Sequence, residues 1–584
     1  MFEADKPRLY KKITVALRAI PIVPVCLCMY AYTLLVGLTL PVGILFTMSP
    51  TNAAWYVARI IAGFAFSLFF FVILTTIIEN LGIFIIRKIA WLLLSLYLLL
   101  YTFVYVYHFL LYGQLPGAPS VFALIDTNKS EAIEFASSVF QLKYFFYATI
   151  AAVPLLFIAR SSRARKRSGL TPNRFAVLGL CLLLAGLWWT GLPHYSLYGY
   201  NPFMSPYASI AQAFEQKFAI RTIYSGMSAN SLKVSVDPTR SHAVHVLVIG
   251  ESLTRNHMSL YGYSRDTTPN LTRIKGELFL ATDSCSARGG TVAALQDLLT
   301  FANRDDSGPL WNGPNIIQIL NAANFRTYWI SNQQQVGVMD SWGSVFGRSA
   351  DISIFVNKHD YGEMGDGSSY DEKVIEPFEE ALRSEGGAKF IIVHLLGSHS
   401  YYPSRYPGSF AKFQGIDKVP GFVRERFSLG GPSKGGLFKN LSFLAYNKIA
   451  QYNYYDNTVY YNDSIVYKLL ELFNRYNGST FTYLSDHGES LGETSDFIGH
   501  IDGPAPRQVY QIPLMFYLAQ QFQEKLDGRI ATFRSNLSKP FQSDSMIHTL
   551  LDLYGVSYSM FRANGSLLSP EYQAHQRFCD TLAP

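Results

Sequence analysis

At 584 residues the chain is long enough for more than one domain, and 49 Lys and Arg against 42 Asp and Glu leave a formal charge of only +7. That modest excess gives no reason to expect a nucleic-acid partner. The 49% of hydrophobic residues is unevenly spread: Leu, Ile, Val, Phe and Tyr dominate the first third, and mixed charge with many Gly and Asn marks the rest.

Five apolar runs, near 19–48, 56–80, 89–112, 144–160 and 174–192, reach or approach the roughly 20 residues a helix needs to cross a bilayer. Pro21, Pro24 and Pro41 interrupt the first and predict a tilt or kink there. A buried core helix would account for one such run but not for five in succession. Basic residues collect in "KPRLYKK" before the first run, at Arg87–Lys88 after the second and in "RSSRARKRS" after the fourth. The alternate connections, "SPTNAA" and the net acidic segment around "DTNKSEAIEF", lack that excess. The positive-inside rule therefore puts the N-terminus in the cytoplasm and everything beyond the fifth span outside. A cleaved signal peptide is not expected, because the first run is too long and the parity of the others needs it.

This predicts a multi-span α-helical membrane domain over 1–192, a connecting segment over 193–238 and an extracytoplasmic domain over 239–584. In a Gram-negative cell that last domain lies in the periplasm and the protein in the inner membrane. Within the connection, "YASIAQAFEQKFAI" (Tyr207–Ile220) has helical apolar spacing and suits either the membrane surface or a place on the soluble domain. Cys26, Cys28 and Cys181 fall in predicted spans, whereas Cys285 and Cys579 lie in the oxidising compartment. A bridge between them is permitted there but not required.

From His242 onward, short apolar runs alternate with helical patterns, which predicts an α/β domain with a mostly parallel central sheet. "HVLVIGES" runs into Glu251, "FIIVHLLGSHS" into His399 and "FTYLSDHGES" into Asp486 and His487. Ligands of open α/β sheets bind beyond the carboxyl ends of the strands, so these residues are placed to converge. Two carboxylates and an imidazole suit zinc, with a fourth ligand supplied by a nucleophile. The stretch "SCSARGGTVAALQDLL" offers Cys285, Ser286 and Thr291 for that role. "GGTVAALQDLL" reads as a Gly-rich turn and a helix with Thr291 at or near its N-cap. Glycines and a helix N-terminus favour the approach of a phosphate, and a zinc on Glu251, Asp486 and His487 would activate the alcohol.

Together with "VLVIGESLTRNHMSLYGYSRDTTPNL" (Val246–Leu271), "HLLGSHSYYPSRYP", "YYDNTVYYND", "SDHGESLGE" and the "GH" ending at His500, these motifs resemble the lipopolysaccharide phosphoethanolamine transferases. That family belongs to the alkaline phosphatase and sulfatase superfamily, and the resemblance covers nearly the whole chain. It implies an α/β alkaline phosphatase/sulfatase-like domain behind a five-span anchor. It implies that Glu251, Thr291, Asp486 and His487 bind zinc and that Thr291 carries a phosphoethanolamine intermediate. His399 and His500 match histidines that hold the transferred phosphate or a second, weaker zinc. Thr127 and Glu131, in "TNKSE", match a membrane-domain motif that positions substrate, although a polar loop capping a helix reads equally well. The implied donor is phosphatidylethanolamine, and the implied acceptor is lipopolysaccharide or its lipid A.

Departures from the pattern narrow the acceptor. Relatives that act on lipid A carry a disulfide bracketing the Thr, whereas Cys285 has no partner on the far side of Thr291 and only Cys579 remains. They also carry a Lys in a substrate loop that here reads "WISNQQQVGV". Both features favour the branch that modifies a core heptose phosphate. A glycerol phosphotransferase of the same superfamily and an inactive membrane scaffold are the alternatives. A true sulfatase is not expected, because "CSARGG" lacks the Pro of the formylglycine signature and places its Arg one position early.

Overall fold

The computed structural model describes residues 81–112 and 144–152 of the apolar third, with a few beside them. From residue 232 onward it describes all but 241–242, 334–341, 358–368, 416–440, 495–496, 527 and 583–584. The chain divides into two compact units, and the larger contains all of the described chain beyond residue 232.

In the smaller unit, helix α1 (Phe84–Tyr112) runs for 29 residues. Its segment Phe84–Leu110 is long and apolar enough to cross a membrane. Leu92, Leu93, Leu96 and Leu100 on it are each more than half exposed. A continuous leucine face of this kind is costly in water and suits hydrocarbon. Among the described residues this is the one such helix. The predicted spans near 19–48, 56–80 and 174–192 lie mostly or wholly outside the described residues, as do Thr127 and Glu131.

The larger unit is built on a seven-stranded sheet. In chain order its strands are β1 (Val244–Gly250), β2 (Phe279–Leu280), β3 (Arg326–Ser331), β4 (Ile352–Phe355), β5 (Lys389–His394), β6 (Thr480–Ser485) and β7 (Leu514–Leu518). They lie side by side as β2–β7–β6–β1–β5–β3–β4. β6, β1, β5, β3 and β4 are parallel, while β7 runs antiparallel to both β6 and β2. The expected mostly parallel sheet is thus mixed at one edge.

Helices α2 (Thr291–Leu299), α3 (Ile316–Ala322), α4 (Ile375–Arg383), α5 (Leu441–Arg475) and α6 (Met546–Tyr554) cover its two faces. The alternation within β1 shows why both are covered. Leu247 and Ile249 join the core beneath α2, α3 and α6, and Val246 and Val248 join the core beneath α4 and α5. All four are fully buried, so the strand is apolar throughout, as a central parallel strand must be.

The motif after β1 is fixed by buried charge. His257 Nδ1 meets Asp456 Oδ1 on α5 at 2.6 Å, and its Nε2 meets Glu493 Oε1 at 3.4 Å. Tyr263 and Arg265 donate to the other Asp456 oxygen at 2.9 and 2.6 Å. Burial alone would lower the pKa of His257, but Asp456 and then Glu493 push it up to about 9. A histidine raised in the folded state stabilises the fold below its ordinary pKa near 6.5, and that contribution is lost as pH rises through 9. We predict that His257→Gln lowers the thermal midpoint far more at pH 6 than at pH 9.5, the pH-dependent part being at most roughly 3 kcal/mol. Thermal unfolding of the two proteins at both pH values checks this; an equal gap at the two would contradict it.

Candidate active site

Strand register brings the site together. Gly250 of β1 pairs with Ser485 of β6, so the next residues, Glu251 and Asp486, leave the sheet side by side. The Asp486 amide donates to the Gly250 carbonyl at 3.0 Å, and Asp486 Oδ1 accepts from the Ser252 amide at 3.1 Å and the His487 amide at 2.6 Å. On the other flank, Asp371 takes the Leu396 and Gly397 amides at 2.8 and 2.9 Å and holds the loop after β5 against Glu251. Gly397 has a φ of +54°, and a Cβ there would lie 2.8 Å from the Glu251 backbone nitrogen and oxygen. Only glycine allows that approach.

Thr291 is the first residue of α2, with Gly290 as its N-cap. Its hydroxyl donates to the Glu251 carboxylate, 3.1 Å from each oxygen, and lies 3.2 Å from His487 Nε2. The other two nucleophile candidates are engaged elsewhere. Ser286 donates to the Asp486 carbonyl, and Cys285 forms a disulfide with Cys579, 294 residues on. The bridge that the sequence left open between Cys285 and Cys579 is thus present, and the partner of Cys285 comes from residue 579 rather than from across the threonine. The turn before Thr291 is tied to the loop that follows His500. The Gly289 amide donates to Asp502 at 3.2 Å, and a Cβ on Gly289 would meet the Ile501 carbonyl at 2.3 Å.

Glu251, Asp486 and His487 are all buried and can each offer a ligand atom, the three atoms lying within 4.8 Å of one another. His487 Nδ1 lies 2.8 Å from the Gly488 carbonyl, to which it donates, so Nε2 is the ring nitrogen that faces the carboxylates. Asp486 Oδ2 is buried 3.4 Å from that nitrogen and accepts no hydrogen bond from the described residues. Burial, and then the neighbouring Glu251, pushes the Asp486 carboxyl well above the usual carboxylate range. Burial opposes protonation of His487, but Asp486 and Glu251 drive it up to about 10. Left to itself, the cluster thus holds protons where two carboxylates, an imidazole nitrogen and a hydroxyl could bind a divalent cation. An orphaned carboxylate oxygen and a four-ligand O/N set fit zinc.

The remaining predicted residues lie around this centre. His399 sits five residues past the end of β5 rather than at it, and its Nδ1 lies 2.7 Å from the Ser400 carbonyl. Its ring centroid is 6.4 Å from that of His500, which in turn is 4.1 Å from that of His487. Two contributors went unassigned in the sequence. Glu489 is fully buried, meets His500 Nδ1 at 2.6 Å and accepts from Tyr402 at 2.6 Å. Its place three residues after Asp486 in "SDHGES" was the available signal. Gln333, from the loop read only as a branch marker, reaches Glu251 Oε2 at 3.4 Å and donates to the Leu395 carbonyl at 3.0 Å. With His487 and His500, Glu489 forms a second group able to hold a cation.

Comparison with known proteins agrees with this geometry. The family model described as Sulfatase matches residues 244–556. The protein of Escherichia coli strain K12 named phosphoethanolamine transferase EptC is 27% identical over 496 residues, 81% of either chain. The crystal structure of the C-terminal periplasmic domain of Escherichia coli EptC in complex with Zn is 30% identical, with a TM-score of 0.51 over 59% of this chain and 91% of that one. The integral membrane protein lipooligosaccharide phosphoethanolamine transferase A from Neisseria meningitidis shares the fold over 94% of this chain and 98% of that one, at 18% identity and a TM-score of 0.57.

Because the buried groups must shed protons to accept a cation, zinc affinity is expected to fall as pH falls. Asp486→Asn is expected to weaken it by more than the roughly 10–100-fold that loss of an outer-sphere partner costs. Chelator competition with metal quantified by mass spectrometry, at pH 6 and pH 8, checks both; wild-type affinity in the variant would remove Asp486 from the ligand set.

Proposed function

The chain belongs to the sulfatase family, and on that premise we propose that it transfers phosphoethanolamine from phosphatidylethanolamine to lipopolysaccharide through a phosphothreonine on Thr291. The observation that carries this reading is the Thr291 hydroxyl, set at a helix N-terminus and in contact with both Glu251 and His487. The names of the relatives support the transferred group.

In the first half-reaction the Thr291 oxygen bonds to the donor phosphorus, the bond from phosphorus to the glycerol oxygen breaks, and diacylglycerol leaves with a proton. In the second, the acceptor oxygen bonds to phosphorus, the bond from phosphorus to the Thr291 oxygen breaks, and the proton that the acceptor gives up restores the threonine hydroxyl. Glu251, Thr291, Asp486 and His487 would hold one zinc, which when bound lowers the pKa of the hydroxyl and offsets phosphate charge. Glu251 fixes the hydroxyl through both carboxylate oxygens. The free amides of the first turn of α2 face the equatorial oxygens. His399 and His500 flank the phosphate, and Glu489 orients His500. With His487, those last two residues are the stronger place for a second, weaker cation.

The favoured acceptor is a core heptose phosphate, with lipid A next. Gln333 supports this, since it stands against Glu251 in the loop where lipid A-modifying relatives have a Lys. Substrates of this kind call for a five-span inner-membrane protein with Thr127 and Glu131 on its periplasmic side. The apolar face of α1 supports the membrane assignment.

Thr291→Ala is expected to abolish transfer without altering membrane insertion. Mass spectrometry of core and lipid A fragments, from cells with and without each protein, reads this directly. Added phosphoethanolamine on lipid A alone would displace the heptose assignment, and wild-type transfer by the variant would end the covalent mechanism. For topology, a periplasm-dependent phosphatase reporter fused after residue 168 is expected to be silent and one fused after residue 230 active. The reverse pattern would overturn the five-span arrangement.

A further inference from the structure

The turn that delivers Thr291 is gripped by side chains from distant parts of the chain. The Ala287 amide donates to the Ser543 hydroxyl at 3.0 Å, and the Ala287 carbonyl accepts from Arg304 at 2.8 Å. Asp502, 213 residues beyond Gly289, accepts the Gly289 amide and Arg304 on Oδ1, at 3.2 and 2.9 Å. Its Oδ2 faces Arg288 at 3.5 Å, and Arg288 turns its Nε to Asp297 on α2 at 2.6 Å. Two arginines and two aspartates therefore balance around the turn, each side chain a fifth exposed or less. Half-exposed arginines are served well enough by water. What Asp502 adds is the backbone amide two residues before the nucleophile.

The other end of this tie is the loop of His500, which Asp502 follows by two residues. Tyr510 fixes that loop from its far side. The buried Tyr510 hydroxyl donates to the Gly503 carbonyl at 2.6 Å and accepts from the Gly503 amide at 2.9 Å, while the Tyr510 carbonyl takes the Ser286 amide at 2.7 Å. With Gly289 already against the Ile501 carbonyl, a shift of either turn is carried to the other.

The two half-reactions lean on this tie differently. In the first, the Thr291 hydroxyl is aimed by its own donation to Glu251, 3.1 Å from both oxygens. Once that oxygen is bonded to phosphorus it has no proton to donate, and those bonds are gone. The phosphorus then moves with Thr291, and its alignment with His500 depends on how the turn sits against the His500 loop. Misplacement by about 1 Å can cost on the order of a hundredfold in rate. We infer that Asp502 is a positioning residue that sets Thr291 against His500, and that it acts above all when the phosphoethanolamine group leaves Thr291 for the acceptor. The inference rests on the transferase reading.

In the test, full-length protein is charged with phosphatidylethanolamine in mixed micelles, chased with whole lipopolysaccharide, quenched and weighed intact by mass spectrometry. Asp502→Ala is expected to slow discharge of the phosphothreonine on the order of tenfold and charging by less. Asp502→Asn keeps an oxygen for the Gly289 amide, so it is expected to restore most of the discharge rate, and it carries the test if the alanine variant does not fold. A merely structural role would lower the fraction of active protein and leave both rates alone. Wild-type discharge by Asp502→Ala, or equal slowing of the two steps, would overturn the assignment. Hydrogen exchange of the same proteins is the second measurement. Faster exchange in the alanine variant at both 287–291 and 499–503 is expected, and a change confined to one segment would overturn the tie. A wild type that never takes up phosphoethanolamine ends the transferase reading, and hydrogen exchange then decides on its own whether Asp502 couples the two turns.

Discussion

Two carboxylates side by side in a buried site repel each other, and the rest of the domain is arranged around that constraint. Glu251 and Asp486 are adjacent because Gly250 and Ser485 are paired in the sheet, and neither can retreat without breaking the register of β1 and β6. A slip of one residue would turn every side chain of β1 to the opposite face, so the register is secured by two hydrophobic cores at once. The repulsion is thus anchored by the burial of whole strands. Protons relieve it in the bare cluster, and a divalent cation relieves it better.

The nucleophile is held by different means. Thr291 begins a short helix whose preceding turn has little hydrophobic anchorage. That turn is fixed instead by polar and covalent ties: Ser286 to the Asp486 carbonyl, Gly289 to Asp502, and Cys285 to Cys579. Phe578 packs on Tyr510 beside the disulfide, so this segment lies against Cys285, six residues before the active threonine. Sheet geometry places the ligands, and the closing segment of the domain places the hydroxyl.

Much of this was legible in the sequence. Unbroken apolar runs ending in Glu251 and in Asp486–His487 announced buried strands with chemistry at their carboxyl ends, because a strand covered on both faces has no other use for a charge there. The glycines before Thr291 announced a tight turn for a similar reason. His399 was placed less accurately: "LLGS" extends the apolar run past the hydrogen-bonded ladder, which stops at His394. Partners separated by hundreds of residues were not legible. Nothing local links Cys285 to Cys579, and nothing in "SNQQ" says that its first Gln folds back onto Glu251. Glu489 was overlooked because three carboxylates in "SDHGESLGE" look alike until a fold decides which one faces His500.

The position of Thr291 also governs how freely its hydroxyl can wander. A threonine inside a helix divides its time between two rotamers, because its oxygen can turn back to a carbonyl three or four residues earlier. As the first residue of α2, Thr291 has no preceding helical turn and no such carbonyl to visit. Its methyl group still restricts rotation about χ1. The side chain therefore loses little rotational entropy when it is brought to bear on phosphorus. A serine there would present the same oxygen without the branch that keeps it aimed.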